Sequence, residues 1–352
     1  MTSTAIKTSI YSPVLIGGSL ILLTGFAIRS TFGLFQIPIA EEFLWARSEF
    51  SLAIAIQNLA WGIATPFFGA FAEKFGDKKA IFIGIILYAV GLLISSQSSS
   101  PEGHQLLNIV IGFGIAGTGF GPILAVVGRT TSPEHRSLAL GITTAAGSAG
   151  QIIGPPLTSI LLEAMSWSSV FIIFAFIILF TVIFLPLIKI KDNSKKINNH
   201  KNENLGKVLV KAFKDPTYMM IFLGFFSCGF QLAFITAHFP AFIAESSSPI
   251  APNSLIRLVC NSTVSLGALS IAIIGIFNIV GSISAGALGK NYSKKYLLSI
   301  IYAGRTIAAL LFIILPITPI SVIIFSMVMG SLWLATVPLT SGIIAHIWHT
   351  IH

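Results

Sequence analysis

Residues 50–97 read FSLAIAIQNLAWGIATPFFGAFAEKFGDKKAIFIGIILYAVGLLISSQ. Two apolar runs, 50–72 and 80–97, flank a short segment that collects Glu73, Lys74, Asp77, Lys78 and Lys79. A helix crossing a hydrocarbon layer of about 30 Å needs about 20 mostly apolar residues. Both runs are near that length, and the charges between them mark a turn in water. Outer-membrane strands are excluded, because they are about 10 residues long and alternate in character, whereas these runs are apolar on every side.

Eight further runs of this kind occupy 13–38, 105–128, 137–162, 169–188, 217–243, 263–288, 297–316 and 320–345. The 352 residues are 54% hydrophobic and 9% charged, where a soluble domain carries roughly 25% charged residues. The first run is too long for a cleaved signal peptide, lacks a small-residue cleavage site, and reads as a retained span. The expected fold is an all-α polytopic membrane protein with about ten transmembrane helices in two bundles. Cys228 and Cys260 offer neither a disulfide framework nor metal-ligand spacing and read as bystanders, and no cofactor or metal is expected.

With the N-terminus inside, 17 of the 21 Lys and Arg residues fall in cytoplasmic segments, so both termini are expected in the cytoplasm and the protein in the cytoplasmic membrane. This topology, with attraction to anionic headgroups, explains the net charge of +9 without a nucleic-acid partner. The polar stretch 189–216 reads as a linker between a six-helix bundle at 1–188 and an incomplete four-helix bundle at 217–352. Val208 to Phe213 has the pattern of a short surface helix with Lys207, Lys211 and Lys214 on its wet side. An internal echo relates the halves: the turn from Gly69 to Lys79 is matched about 216 residues later by the stretch from Gly286 to Lys295, each ending in a Lys pair.

The segment GAFAEKFGDKK, from Gly69 to Lys79, resembles the signature between the second and third helices of the major facilitator superfamily, with Glu73 in place of the more usual Asp. Gly69 and Gly76 would allow the tight turn, and Glu73, Lys78 and Lys79 would carry its gating charges. The stretch Gly147 to Pro156 is similar to the fifth-helix motif of antiporters in that superfamily. There Gly150 and Gly154 would bring helices close and Pro155 would favour a bend. The first-span run Arg29 to Phe35 and the segments around Asn278, Arg305 and Trp333 resemble monocarboxylate-transporter-like and oxalate:formate-antiporter-like members. In the fourth span Asn108 stands without the Arg of the proton-coupling motif. The superfamily has twelve helices. This chain is therefore expected to be cut after the tenth, leaving Glu73 without the eleventh helix that usually meets its loop.

Arg29 lies about 16 residues into the first span, roughly 24 Å along the helix. A membrane-embedded Arg costs on the order of 2.5–3.5 kcal/mol, which favours a partner or a watery cavity. In the superfamily that helix lines the pore, so Arg29 is the candidate anion-binding residue. The alternative is that it snorkels or fixes packing. Arg305, in a helix resembling the outer scaffold, is a weaker substrate candidate and reads more readily as a packed Arg. His238 reads as the only histidine at a depth where it could carry a proton, with a structural role as the simpler reading. Gln36, Asn58, Gln151, Gln231 and Asn278 either meet substrate or join helices, and Trp333 either faces the cavity or fills it.

These features imply alternating-access transport of a small organic anion, a monocarboxylate or dicarboxylate. No Asp or Glu lies inside a span, so exchange or facilitated diffusion is favoured over a carboxylate proton relay, with any coupling ion or exchanged anion unknown. Efflux of a drug or metabolite and a non-transporting remnant are the alternatives. No nucleophile, metal or phosphate-loop motif points to an enzyme.

Overall fold

The computed structural model describes residues 12–132, 136–188, 210, 213–246, 255–259, 262–337 and 339–340. The chain divides into two compact units, 1–190 with 257–264, and 191–256 with 265–352. The first contains α1 (Pro13–Arg29), α2 (Gln36–Phe43), α3 (Arg47–Phe75), α4 (Asp77–Ser95), α5 (Pro101–Thr118), α6 (Phe120–Thr130), α7 (Arg136–Ala164) and α8 (Trp167–Phe180). The second contains α9 (Pro216–Ser246), α10 (Leu266–Asn291), α11 (Lys294–Ile314) and α12 (Pro319–Leu332). Most of the expected linker and of its surface helix lies outside the described residues. Between α9 and α10 the backbone of Leu255–Val259 (β1) pairs with that of Ser262–Ser265 (β2). This small departure from an all-helical chain lies between two expected spans, and its Leu-Ile-Arg-Leu-Val run contains the β-branched residues Ile256 and Val259 that favour a strand.

Hydroxyl caps set several helix starts. Ser12, Ser100, Ser166 and Ser265 each accept a hydrogen bond from a backbone N–H in the first turn, and Thr318 closes a capping box with Ser321. Pro13, Pro101 and Pro319 occupy the first helical position, where the missing N–H costs nothing.

Among the described residues eight segments are long and apolar enough to cross a membrane: 13–43, 48–75, 77–95, 101–130, 167–187, 216–246, 266–289 and 294–314. Of the two other expected spans, α7 has the length, at 29 residues, but is diluted by Gly, Ser, Thr and Gln. The tenth is a continuous helix only over the 14 residues of α12, after which a break at Trp333–Ala335 precedes further helical residues at 336–337 and 339–340. Residues 341–345 lie outside the described residues. The first span is not continuous either: α1 stops at Arg29, a turn and a 3-10 segment (Phe32–Phe35) follow, and α2 completes the crossing. The fourth breaks at Gly119, which is extended between α5 and α6.

Small residues let these helices approach, as packing without a strong hydrophobic drive requires. A Cβ on Gly84 of α4 would lie 2.6 Å from the Cα of Gly117 in α5, and one on Gly114 would lie 2.6 Å from the Cα of Tyr88. In the second unit Gly330 of α12 sits against the backbone of Ile274 in α10. Large apolar side chains cover the outside, Ile313 and Ile314 of α11 among them, as a surface facing hydrocarbon needs.

Candidate functional site

Arg29 closes α1 where the first span breaks. Its side chain is buried within the first unit, and its guanidinium carbon lies 4.6 Å from the ring centroid of Trp61 and 5.7 Å from that of Phe26. Nη2 donates to Asn58 Oδ1 at 3.0 Å, while Nε has no hydrogen-bond partner among the described residues. Phe26 packs edge-on to Trp61 and against Phe120, with centroids 6.1 and 4.5 Å away, so α1, α3 and α6 jointly frame the charge. No carboxylate pairs with Arg29 among the described residues. Stacking on aromatic faces contributes about 0.5–2 kcal/mol and a charged hydrogen bond about 1.5–3 kcal/mol, together close to the cost of placing an Arg in the membrane. The cation is thus retained without a carboxylate counter-ion among the described residues.

The other polar candidates occupy different surroundings. Gln36 is buried at the start of α2, with Nε2 donating to Ser51 Oγ. Gln151 is buried in α7, its Oε1 unpartnered among the described residues. Asn108 ties helices together, accepting from Gln57 Nε2 at 2.8 Å and donating to the His104 carbonyl at 2.7 Å. In the second unit Asn278 accepts from the Leu334 N–H at 2.9 Å. Gln231 and His238 are half-buried in α9, the imidazole 4.9 Å from the Phe234 ring.

Arg305 is buried within the second unit. It donates to the carbonyls of Leu332 and Trp333, and its Nη1 lies 3.0 Å from Cys228 Sγ. It is bonded to the chain just where α12 ends. Cys228, read from sequence as a bystander, is part of this cluster, with Thr336 Oγ1 3.6 Å from its sulfur. Trp333 is buried and its indole N–H has no partner among the described residues.

The charged turn is built differently from the expectation. Gly76 has φ +99°, which only glycine adopts readily, and it joins α3 directly to α4. Gly69 instead lies inside α3 with nothing near its Cα side, so it takes no part in the turn. Glu73, Lys78 and Lys79 are exposed, whereas Asp77, not among the chosen candidates, is buried and ion-paired with Arg129 at the end of α6. The Lys pair at 294–295 likewise opens α11, next to a turn after α10, so the internal echo recurs in helix boundaries.

Gly150 and Gly154 do bring helices together: a Cβ on either would strike the backbone of α1 at Leu23 or Ala27. Pro155 lies inside α7, which continues through it as a helix. His104, not among the chosen candidates, is a second histidine within a segment long and apolar enough to span. The fourth span begins at Pro101, earlier than its apolar run suggested, and His104 is buried in it between Ser95 Oγ at 3.0 Å and the Ser98 carbonyl at 3.1 Å. Trp61 and Phe120 were also missed. The available signal was the spacing of Asn58 and Trp61, three apart on one helix face.

Residues 18–350 match the sequence profile described as the Major Facilitator Superfamily. An uncharacterized MFS-type transporter of Bacillus subtilis, YcxA, is 26% identical over 92% of this chain and 77% of its own length. The methyl viologen resistance protein SmvA of Salmonella typhimurium is 27% identical over 47% of this chain, which spans only 31% of that relative's length. The crystal structure of a bacterial homolog to the human lysosomal transporter Spinster, inward-facing and unoccupied, superposes with a TM-score of 0.66 at 14% identity, covering 93% of this chain and 73% of that one. Span pattern, charged turn, profile match and fold agree: this multi-pass membrane protein belongs to the Major Facilitator Superfamily of transporters.

Proposed function

We propose that the chain carries a small organic anion, a monocarboxylate or dicarboxylate, across the membrane by alternating access, with Arg29 as the carboxylate-binding residue. The observation that carries this is a buried guanidinium at a helix break, held by a neutral amide and two aromatic rings with no carboxylate beside it among the described residues. The described acids sit near helix ends, such as Glu42, Glu49, Asp77 and Glu163, away from the middle of the spans, which favours exchange or facilitated diffusion over a proton relay. The helix ends carrying Lys74, Lys78, Lys79 and Arg129 face the cytoplasm in this scheme. Gln36, on the α2 half of the same broken span, bonds to Ser51 and is not a neighbour of Arg29 in this scheme. Arg305 serves structure, because its donors are engaged by backbone carbonyls.

In proteoliposomes, Arg29→Ala is expected to abolish uptake of labelled lactate or oxalate while membrane insertion stays at the wild-type level; unchanged uptake overturns the assignment. Efflux of an amphipathic compound is the second reading, favoured by the aromatic frame of Phe26, Trp61 and Phe120 and by the likeness to SmvA. Efflux of a fluorescent amphipathic dye that is indifferent to Arg29→Gln selects it.

A further inference from the structure

We infer that Asn58 sets the charge preference of the Arg29 site: it holds the guanidinium in place with a neutral oxygen and so leaves the positive charge uncancelled for an anionic ligand. The inference rests on the anion-binding reading of Arg29 and goes beyond it by naming the residue that decides which charge the site accepts.

The amide is held from both sides. Asn58 Nδ2 donates to the Ile54 carbonyl one turn earlier at 2.8 Å, which directs Oδ1 towards α1, where it accepts from Arg29 Nη2 at 3.0 Å. Trp61, three residues on, lies under the same guanidinium. One turn of α3 therefore supplies an acceptor for one corner of the cation and an aromatic face for its plane. An Asp at position 58 would be nearly isosteric and would reach the same Nη2. It would also form an ion pair in surroundings of low dielectric, where such pairing is far stronger than in water. The nearest acids on this helix are Glu49 and Glu73, about 13 Å and 22 Å away along its axis. Nothing on α3 but the choice of amide over carboxylate keeps the site cationic.

A purely structural Asn58 predicts that the isosteric Asn58→Asp is milder than the truncating Asn58→Ala, and a charge-setting Asn58 predicts the reverse. The test measures thermal stabilisation of the purified full chain by lactate, by oxalate and by the neutral isostere lactamide. The wild type is expected to respond to a carboxylate and not to lactamide. Asn58→Ala should need roughly threefold more carboxylate and keep the preference. Asn58→Asp should need at least roughly tenfold more and lose it. Asn58→Asp binding carboxylate as well as Asn58→Ala overturns the inference. Should Asn58→Asp fail to fold, Asn58→Thr decides: it keeps a neutral acceptor and should keep the preference, and its loss overturns the inference. The two readings fail separately. Carboxylate response lost in Arg29→Gln but retained in Asn58→Asp removes only the role of Asn58, whereas a wild type that does not discriminate, or an Arg29→Gln that still does, removes the anion site and this inference with it.

Discussion

Asp77, the first residue of α4, is ion-paired with Arg129 in the last turn of α6. The carboxylate is buried and the guanidinium about half exposed. Each charge also complements its own helix end, an acid at an N-terminus and a base at a C-terminus. Because Arg129 is well solvated, the pair is discounted from the value of a fully buried bridge to about 1–2 kcal/mol. Asp77→Asn and Arg129→Gln should each lower the apparent melting temperature by a few degrees. The exchange Asp77→Arg with Arg129→Asp should recover only part, because both helix-end terms are then reversed. Full recovery in the thermal scans would show that the helix ends contribute nothing.

Gly76 and Gly69 should behave oppositely although both belong to the motif that pointed to the turn. At φ +99° an L side chain at position 76 is strained by about 1–2 kcal/mol or more, so Gly76→Ala should destabilise the α3–α4 turn. Gly69 lies in a helix interior with open space where a Cβ would go, and Gly69→Ala should stabilise by up to about 1 kcal/mol. Melting curves of the two single variants check this, and equal losses would place Gly69 back in a functional role.

Hydropathy alone made most of the spans legible, since a span is long and its apolarity redundant. Breaks in them were not, because Arg29-Ser30-Thr31 and Thr118-Gly119 interrupt apolar runs with residues that a continuous helix also tolerates. Arg29 itself stood out because one charge in a span is conspicuous. Its partners did not: Asn58, Trp61 and Phe120 become a site only when α1, α3 and α6 are packed together. The motif drew attention to Glu73, yet burial selects Asp77, and which of two neighbouring acids turns inward depends on where α6 ends. His104 was hidden by an apolar run that begins later than the helix does.

Gly150 and Gly154 of α7 face the backbone of α1 at Leu23 and Ala27 with no room for a methyl group. Gly150→Ala and Gly154→Ala should each cost about 1–3 kcal/mol by forcing the helices apart, despite the better helix propensity of alanine. Gly62 and Gly141 have open space where a Cβ would go, and their alanine variants serve as controls that gain stability. Thermal stability and monodispersity after purification distinguish the sets. If all four glycines tolerate alanine alike, the α1–α7 contact is looser than its geometry.

Arg305 and Arg29 are both arginines buried in apolar helices, and their partners separate them. Arg29 has a neutral side-chain oxygen and an unpartnered Nε, whereas Arg305 donates to two backbone carbonyls and a sulfur at the end of α12. Removing the guanidinium at 305 strands the carbonyls of Leu332 and Trp333, at about 1–3 kcal/mol for each group left unsatisfied. Arg305→Ala should therefore lower the melting temperature and leave the carboxylate preference of whatever protein folds unchanged, the opposite of Arg29→Gln. Arg305→Lys should recover little, because a single ammonium cannot span two carbonyls and a thiol in the fork geometry of a guanidinium. Loosening this cluster should also uncover Cys228, which is now buried. On a Cys260→Ser background, N-ethylmaleimide should label Arg305→Ala much faster than the parent, and labelling at the parental rate would mean that the chain after α12 is held by something other than Arg305.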